Sequence, residues 1–480
     1  MKNYWSQPSF FFLLLAAMLL VSSCGWFKPA RDSEKEKVYT EDDLGDLQGT
    51  KVFDPETGEW RTVREVSQKV DTVRWTELSE KDYPPIMTDG TWSTTGSNSG
   101  SPGGPAGGGG QYDVSIILPF LANQSSIGEI DPNSYWAMHY YAGARLAYES
   151  LAATGASLNV TVSDSDGSSI KINRLLSENK AKDAELIIGP YKRDNVRLME
   201  PFSKQNNIPL AVPYTAQLGL ANGNPNYIQL NPSLASHCEA ITKHARAVYD
   251  TENITLVAQD LPQEKNRFVF FQKTNSNIEG TSIGAYFREY AVTTDEDNQF
   301  EIDMVPYISQ GETSVFIIPS WSSESFVYSV LRALMIEQAK GENIVVYGMP
   351  MWIDFDQIDY EFYQKLNVHV SSASYIDPTD ERVRQFKRKF FDTYGTIPRE
   401  EAYLGYDAMN YFGRMLHQYG KEFPKSIDRE PYDVLHGRFE FERVVLQPED
   451  HREDLDYFDQ LENKFVHILQ FRDFQFQPAR

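Results

Sequence analysis

Residues able to do covalent chemistry occur in this chain, but not in spacings that bring them together. Gly280-Thr-Ser282-Ile-Gly284 has the spelling of a nucleophile elbow, a motif that needs a strand before the serine and a helix after it. Here a polar stretch, Asn275 to Glu279, precedes it and a strand-like run begins at Ala285, the reverse of that order. The eight histidines are scattered and there is no cysteine pair or two-histidine helix, so the sequence presents no zinc set. Asp164-Ser-Asp166-Gly167-Ser-Ser169 starts like a calcium loop but lacks the later bidentate glutamate, and it reads as a turn and helix N-cap. No glycine-rich loop with Lys-Ser/Thr is present to cradle phosphates. What remains is binding chemistry. Lys192 and Arg193 fall where a helix is expected to begin, where cations oppose the helix dipole and a bound anion would resolve the conflict. The expectation is a non-enzyme with no metal and no cofactor.

The element that must position this pair is the stretch from Asp183 to Tyr214. Two apolar runs, Glu185-Leu-Ile-Ile-Gly189-Pro190 and Ile208-Pro-Leu-Ala-Val-Pro213, bracket a helical period and read as a β-α-β unit. The rest of the chain repeats that alternation. Asp113 to Pro119 is a buried-strand run, and Trp136, Tyr140, Gly143, Ala147 and Leu151 share one face of a helix over 135–151. Strands are expected at Leu158 to Val162, Tyr227 to Leu230, Ile254 to Ala258, Glu301 to Tyr307, Ser314 to Ile318, Asn343 to Tyr347 and Val368 to Tyr375. Helices are expected over Ile170 to Ala181, 234–249, Ser325 to Ala339, Glu381 to Tyr394 and Glu400 to Tyr419. Strands alternating with helices give an α/β protein with parallel sheets flanked by helices. Two late strand-like runs, Gly437 to Val445 and Phe465 to Phe474, close the chain.

Size and charge restrict what such a protein binds. The 480 residues allow two well-cored lobes plus a tail, because single cores stop growing near ~250–300 residues. A formal net charge of -23 makes nucleic acid a poor partner. At the N-terminus, Lys2, the apolar run Phe10 to Leu20 and Val21-Ser22-Ser23-Cys24 resemble a bacterial lipoprotein signal, with Cys24 the lipidated first residue of the mature chain. No aspartate follows the cysteine, which by the same resemblance implies an outer-membrane anchor facing the periplasm. With Cys24 lipidated, Cys238 stands alone as a buried apolar residue on a helix with Leu234, Ile241 and Ala245. From residue 24 to 111 the chain is polar and ends in a Gly-Ser-Pro spacer, the composition of a disordered tether. Within it, Val52 to Val63 has turn chemistry between two β-favouring pieces and is expected to close as a hairpin, a candidate docking segment with Trp60, Val73 and Trp75.

The module after the tether resembles the type I periplasmic solute-binding proteins of the branched-chain-amino-acid group. The matching segments are Ile116-Ile-Leu-Pro119, Gly143-Ala-Arg-Leu-Ala147, Ile187-Ile-Gly189-Pro190, Ile208-Pro209 with Pro213, and Ile397-Pro398 with Ala402 and Gly405-Tyr406-Asp407-Ala408. The resemblance implies two α/β lobes with a hinge, lobe one over 112–232 and 377–425 and lobe two over 233–375 and 430–480, with ligand held between them. It implies a substrate-binding component of an ABC transporter for amino acids or similar small polar solutes, working with a permease. In that group a serine after Gly-Pro and an Ala-Thr pair after the next strand hold the ligand carboxylate. Here Arg193 occupies the first place and Tyr214, Thr215 and Ala216 the second, leaving Thr215 with a role in common. Tyr191, Tyr214, Trp321 and Tyr375 fall at expected strand ends, where they would line the cleft as aromatic walls. Gly189 to Leu198 also resembles a segment of outer-membrane lipoproteins that activate penicillin-binding proteins. The alternative is therefore a scaffolding or regulatory lipoprotein with a cell-wall protein partner.

Overall fold

The structure, a computed structural model, describes residues 51–54, 59–62, 111–125, 130–446 and 457–479. The signal segment, Cys24, Val73, Trp75 and most of the tether lie outside the described residues. The chain divides into two units, Met1–Gly100 and Ser101–Arg480. In the first, Lys51–Asp54 and Glu59–Thr62 pair antiparallel, with Phe53 opposite Trp60, which is the expected hairpin.

The second unit is built on two sheets. Five parallel strands form most of the first: β1 (Gln111–Leu118), β2 (Ser157–Asp164), β3 (Leu186–Ile188), β4 (Leu210–Val212) and β5 (Tyr227–Gln229). Their spatial order is β2-β1-β3-β4-β5. They are continuous apolar runs because both faces are covered. Successive side chains alternate faces. Val114, Ile116, Leu186, Ile188 and Ala211 pack into one core, and Ile117, Ile187, Leu210 and Val212 into another on the opposite face. Helix α1 (Tyr135–Ala152) covers the first face, and α2 (Ser169–Ser177) and α3 (Arg193–Asn206) cover the second.

The chain then crosses at Asn231-Pro232-Ser233 into α4 (Leu234–Arg246) and the second sheet. There β6 (Ile254–Gln259), β7 (Arg288–Thr294), β9 (Thr313–Ile317), β10 (Asn343–Gly348) and β11 (Val368–Ser372) run parallel in the order β7-β6-β9-β10-β11, and the two-residue β8 (Phe300–Glu301) lies antiparallel on the β7 edge. Helices α5 (Phe268–Asn277), α6 (Glu324–Ala339) and α7 (Tyr360–Lys365) complete this lobe. Cys238 is buried in its core, as its helical spacing implied. The expected strand over Glu301 to Tyr307 is only its first residue, for Pro306 sits in a 3-10 turn at Val305–Tyr307. The Gly280 to Gly284 string lies between α5 and β7, helix before and strand after, with Ile283 fully exposed.

A second crossover, residues 373–379, returns the chain to lobe one for α8 (Glu381–Tyr394) and α9 (Glu400–Tyr419). The α1–α9 crossing is close: a Cβ on Gly143 would stand 1.8 Å from the Ala402 carbonyl oxygen, and one on Gly405 2.0 Å from that of Tyr140. This explains glycine at both positions. Next come the small hairpin β12 (Tyr432–Asp433) and β13 (Arg438–Phe439), then β14 (Phe441–Val444) and β15 (Gln460–Asn463), which extend the first sheet beyond β5. A third crossover, residues 464–466, leads to β16 (His467–Arg472) and β17 (Gln475–Pro478) on the β11 edge of the second sheet. The assignment of 430–480 to lobe two is thus corrected: the described residues 432–446 and 457–463 belong to lobe one, and the segment from His467 onward crosses over. Burial against the lobe-one core decides this, since Phe439, Phe441 and Leu461 pack with Tyr411 and Phe412 of α9.

Candidate functional site

The three crossovers all leave from the C-terminal ends of strands, so the C-terminal rims of both sheets flank the hinge. Open α/β sheets receive ligands at such rims. On lobe one, β3 ends in Gly189-Pro190, where Gly189 has φ +101 and a Cβ would meet the Ile117 carbonyl oxygen at 2.1 Å. Only glycine allows β3 and β1 to lie this close at that φ. The chain then reaches Tyr191 and starts α3 at Arg193, with Lys192 in an extended N-cap conformation that supplies no side-chain cap. The first-turn N–H groups therefore lack a capping oxygen from the N-cap residue.

The cations sit around this opening. Lys192 is exposed and lies over the β2–α2 turn, its Nζ 2.9 Å from where a Cβ on Gly167 would be. Arg193 donates from Nη1 to Gln217 Oε1 at 3.3 Å on the loop after β4, and its Nε is 3.5 Å from Asp194. Asn195 enters the arrangement unforeseen from the sequence. It is 1% exposed, its Oδ1 accepts from Ser169 Oγ at 3.1 Å at the start of α2, and its Nδ2 has no partner among the described residues. Helix α2 begins at Ser168 without a side-chain cap either. Asp164 does not cap it. Its carboxylate instead accepts from the Phe120, Ala122 and Asp166 N–H groups at 2.9, 2.8 and 2.8 Å, fixing the β1–α1 loop. Those hydrogen bonds hold its pKa below the usual range despite burial, which works in the opposite direction. No group of three metal-ligating side chains occurs among the described residues.

Aromatic rings wall the same rim. Tyr191 lies 4.3 Å from Trp136 and 5.0 Å from Tyr214, and Trp136 lies 5.0 Å from Tyr214, centroid to centroid. Tyr140 packs beneath at 6.3 Å from Tyr214. Trp136 belongs to the helical stripe that reads as core packing, but it is half-buried and reaches the rim, whereas Tyr140, Ala147 and Leu151 are core. The Tyr214 hydroxyl is buried with no hydrogen-bond partner among the described residues, and burial, with Tyr140, Glu401 and Glu400 nearby, pushes its pKa well up. Thr215 is half-buried on the following loop, which Asn231 ties to the first crossover by donating from Nδ2 to the Tyr214 carbonyl at 2.9 Å.

Lobe two contributes differently. Trp321 follows β9, half-buried, with its ring edge-on to His237 at 5.7 Å. His237 is 2% exposed, and burial lowers its pKa to about 4, with Glu462 working in the opposite direction. Tyr375 lies in the second crossover, its N–H donating to the His436 carbonyl at 2.8 Å and its ring 6.0 Å from His467. The structure thus gathers Tyr191, Lys192, Arg193, Tyr214 and Thr215 on one rim, and places Trp321 on the other lobe and Tyr375 in the hinge. A shallow groove of about 330 Å³ along α5, lined by Phe268, Gln272, Lys273 and Tyr286 among others, shares none of these residues.

Comparison with solved structures places this architecture. A protein described as a branched-chain amino acid ABC transporter from Rhodospirillum rubrum superposes with a TM-score of 0.55 at 15% identity, over 77% of this chain and 99% of that one. An ABC transporter substrate-binding protein from Desulfitobacterium hafniense superposes with a TM-score of 0.51 at 12% identity, over 77% and 100%. The sequence matches no protein-family model and no curated protein. The module has the two-lobed type I periplasmic-binding-protein fold.

Proposed function

We propose that this chain is a non-enzymatic binding protein that holds a small polar solute, an amino acid or a similar anion-bearing molecule, between its lobes and presents it to an ABC-type permease. The observation that carries this reading is the opening at the start of α3. An N-cap residue that supplies no side-chain cap, Lys192, Arg193 and an Asn195 amide with no partner among the described residues all fall within the first turn of α3, next to the ring of Tyr191. A carboxylate or comparable anion satisfies such donors and the dipole together. Cations at a helix N-terminus are otherwise unfavourable by ~0.3–1 kcal/mol each. Tyr191 and Trp136 offer ring faces to the rest of the ligand. The lipid anchor on Cys24, holding the module to the outer membrane on the periplasmic side through the tether, belongs to the same proposal.

The test is a thermal-shift panel on the full chain with free amino acids, benzoate, small peptides, nucleosides and muropeptides. A ligand at ~100 times its dissociation constant adds ~2.7 kcal/mol to stability, a shift readily seen. A shift from one anionic class supports the reading. No shift with any solute at millimolar concentration overturns it and favours a protein partner.

A further inference from the structure

Two of the three crossovers converge on one backbone carbonyl. The His436 carbonyl, at the tip of the β12–β13 hairpin, accepts from the Tyr375 N–H at 2.8 Å and from His467 Nε2–H at 3.1 Å. Tyr375 lies in the second crossover and His467 ends the third, where it pairs with Ser372 at the end of β11. His436 is in turn held by Asp407 of α9, whose Oδ2 accepts from its Nδ1–H at 2.6 Å and its backbone N–H at 3.1 Å. Asp407 is 1% and His436 5% exposed. Gly437 keeps the approach open, since a Cβ there would lie 2.6 Å from His467 Nε2. The hairpin therefore runs from the α1–α9 core of lobe one directly to the point where two lobe-two strands end.

The first crossover has a separate anchor. Glu462 of β15 is fully buried, and its Oε1 accepts from the Ser233 N–H at 2.8 Å and Ser236 Oγ–H at 2.6 Å, while Lys464 pairs with its Oε2 at 3.0 Å. Each crossover is thus tied to lobe one through a buried carboxylate.

We infer that Asp407 and His436 are positioning residues that set the angle between the lobes, with the β12–β13 hairpin acting as the clasp on the second and third crossovers. Burial makes the clasp stiff. A carboxylate that accepts twice from one residue fixes both the ring and the carbonyl of His436, and removing it leaves buried donors unpaired. With the clasp intact, hinge motion is confined to rotation about a line through the His436 carbonyl and Glu462. With it broken, only the first crossover keeps its side-chain anchor to lobe one, and the lobe angle spreads. The relevance to ligand capture rests on the proposed function, but the geometry does not, so the test is made without ligand.

The test is a double electron–electron resonance measurement on the full chain, with spin labels on genetically encoded non-cysteine residues at Arg197 of α3 and Ser325 of α6. Wild type should give one narrow distance distribution. Asp407→Ala and His436→Ala should each broaden it at least twofold, and His467→Phe, which keeps the ring but removes the Nε2 donor, should broaden it less. Glu264→Gln, which disrupts the Arg267 pair inside lobe two, serves as a control for loss of stability alone and should leave the width unchanged. Should Asp407→Ala fail to fold, His467→Phe carries the test. Wild-type width in the soluble clasp variants, or equal broadening in the Glu264→Gln control, overturns the inference.

Discussion

The rim of lobe one and the rim of lobe two are built on the same parallel α/β plan, yet they hold different equipment. Lobe one carries Lys192 and Arg193 at a helix start without a side-chain cap, a buried amide donor with no partner among the described residues, and three rings in mutual contact. Lobe two carries one half-buried tryptophan set on a histidine kept neutral by burial. Under the proposed function, the difference means that recognition would be pre-organised on one side: a ligand would first find its charge partner on lobe one, and Trp321 would close over it from lobe two. Pre-organisation of this kind lowers the ordering cost of binding.

The asymmetry can be broken in graded ways. The largest effect should come from Gly143→Val, because its Cβ would overlap the Ala402 backbone and the helix bearing Trp136 and Tyr140 has nowhere to move. A loss of about 3 kcal/mol is expected in urea denaturation, at the upper end for overpacking. Acid should expose lobe two next. His237 has its pKa lowered from 6.5 to about 4, so the unfolded chain binds a proton that the folded one refuses. Stability is full above pH 6.5 and falls as pH drops toward about 4, by roughly 3 kcal/mol if the shift is fully expressed. In His237→Phe that part of the acid slope should vanish in pH-dependent thermal melts. Smaller still, Trp321→Ala should weaken ligand binding by about tenfold, ~1.4 kcal/mol, measured by calorimetry. It should leave selectivity for an anion unchanged, since the charge partners are on lobe one.

Much of the fold was legible because buried parallel strands are written as continuous apolar runs. Ile116 to Pro119 and Ile187 to Pro190 announce their strands and the turns after them, and the long helices α8 and α9 have clear periods. Short antiparallel pieces carry no such signal. Which lobe β12 to β15 join depends on when the chain crosses the hinge, and Phe439 or Leu461 looks alike in either core. Helix α5 escaped because its second half, Gln272-Lys-Thr-Asn-Ser-Asn277, has loop composition and is held by packing of Phe268 and Phe271. In the site, charge at a helix start made Lys192 and Arg193 visible. Asn195 and Trp136 were not, since an asparagine in a first turn and a tryptophan on an apolar stripe are ordinary residues until their neighbours are known. The Asp407–His436 contact spans 29 positions and leaves no local trace.

The most direct measurement is the affinity of the strongest-shifting anionic solute for wild type and for Lys192→Glu, by isothermal titration calorimetry on the full chain. Reversing the charge beside the open start of α3 should weaken binding at least 100-fold, ~2.7 kcal/mol, while the free protein melts no lower than wild type, since an anion suits the helix start. Equal affinity in the two proteins would contradict recognition on the lobe-one rim.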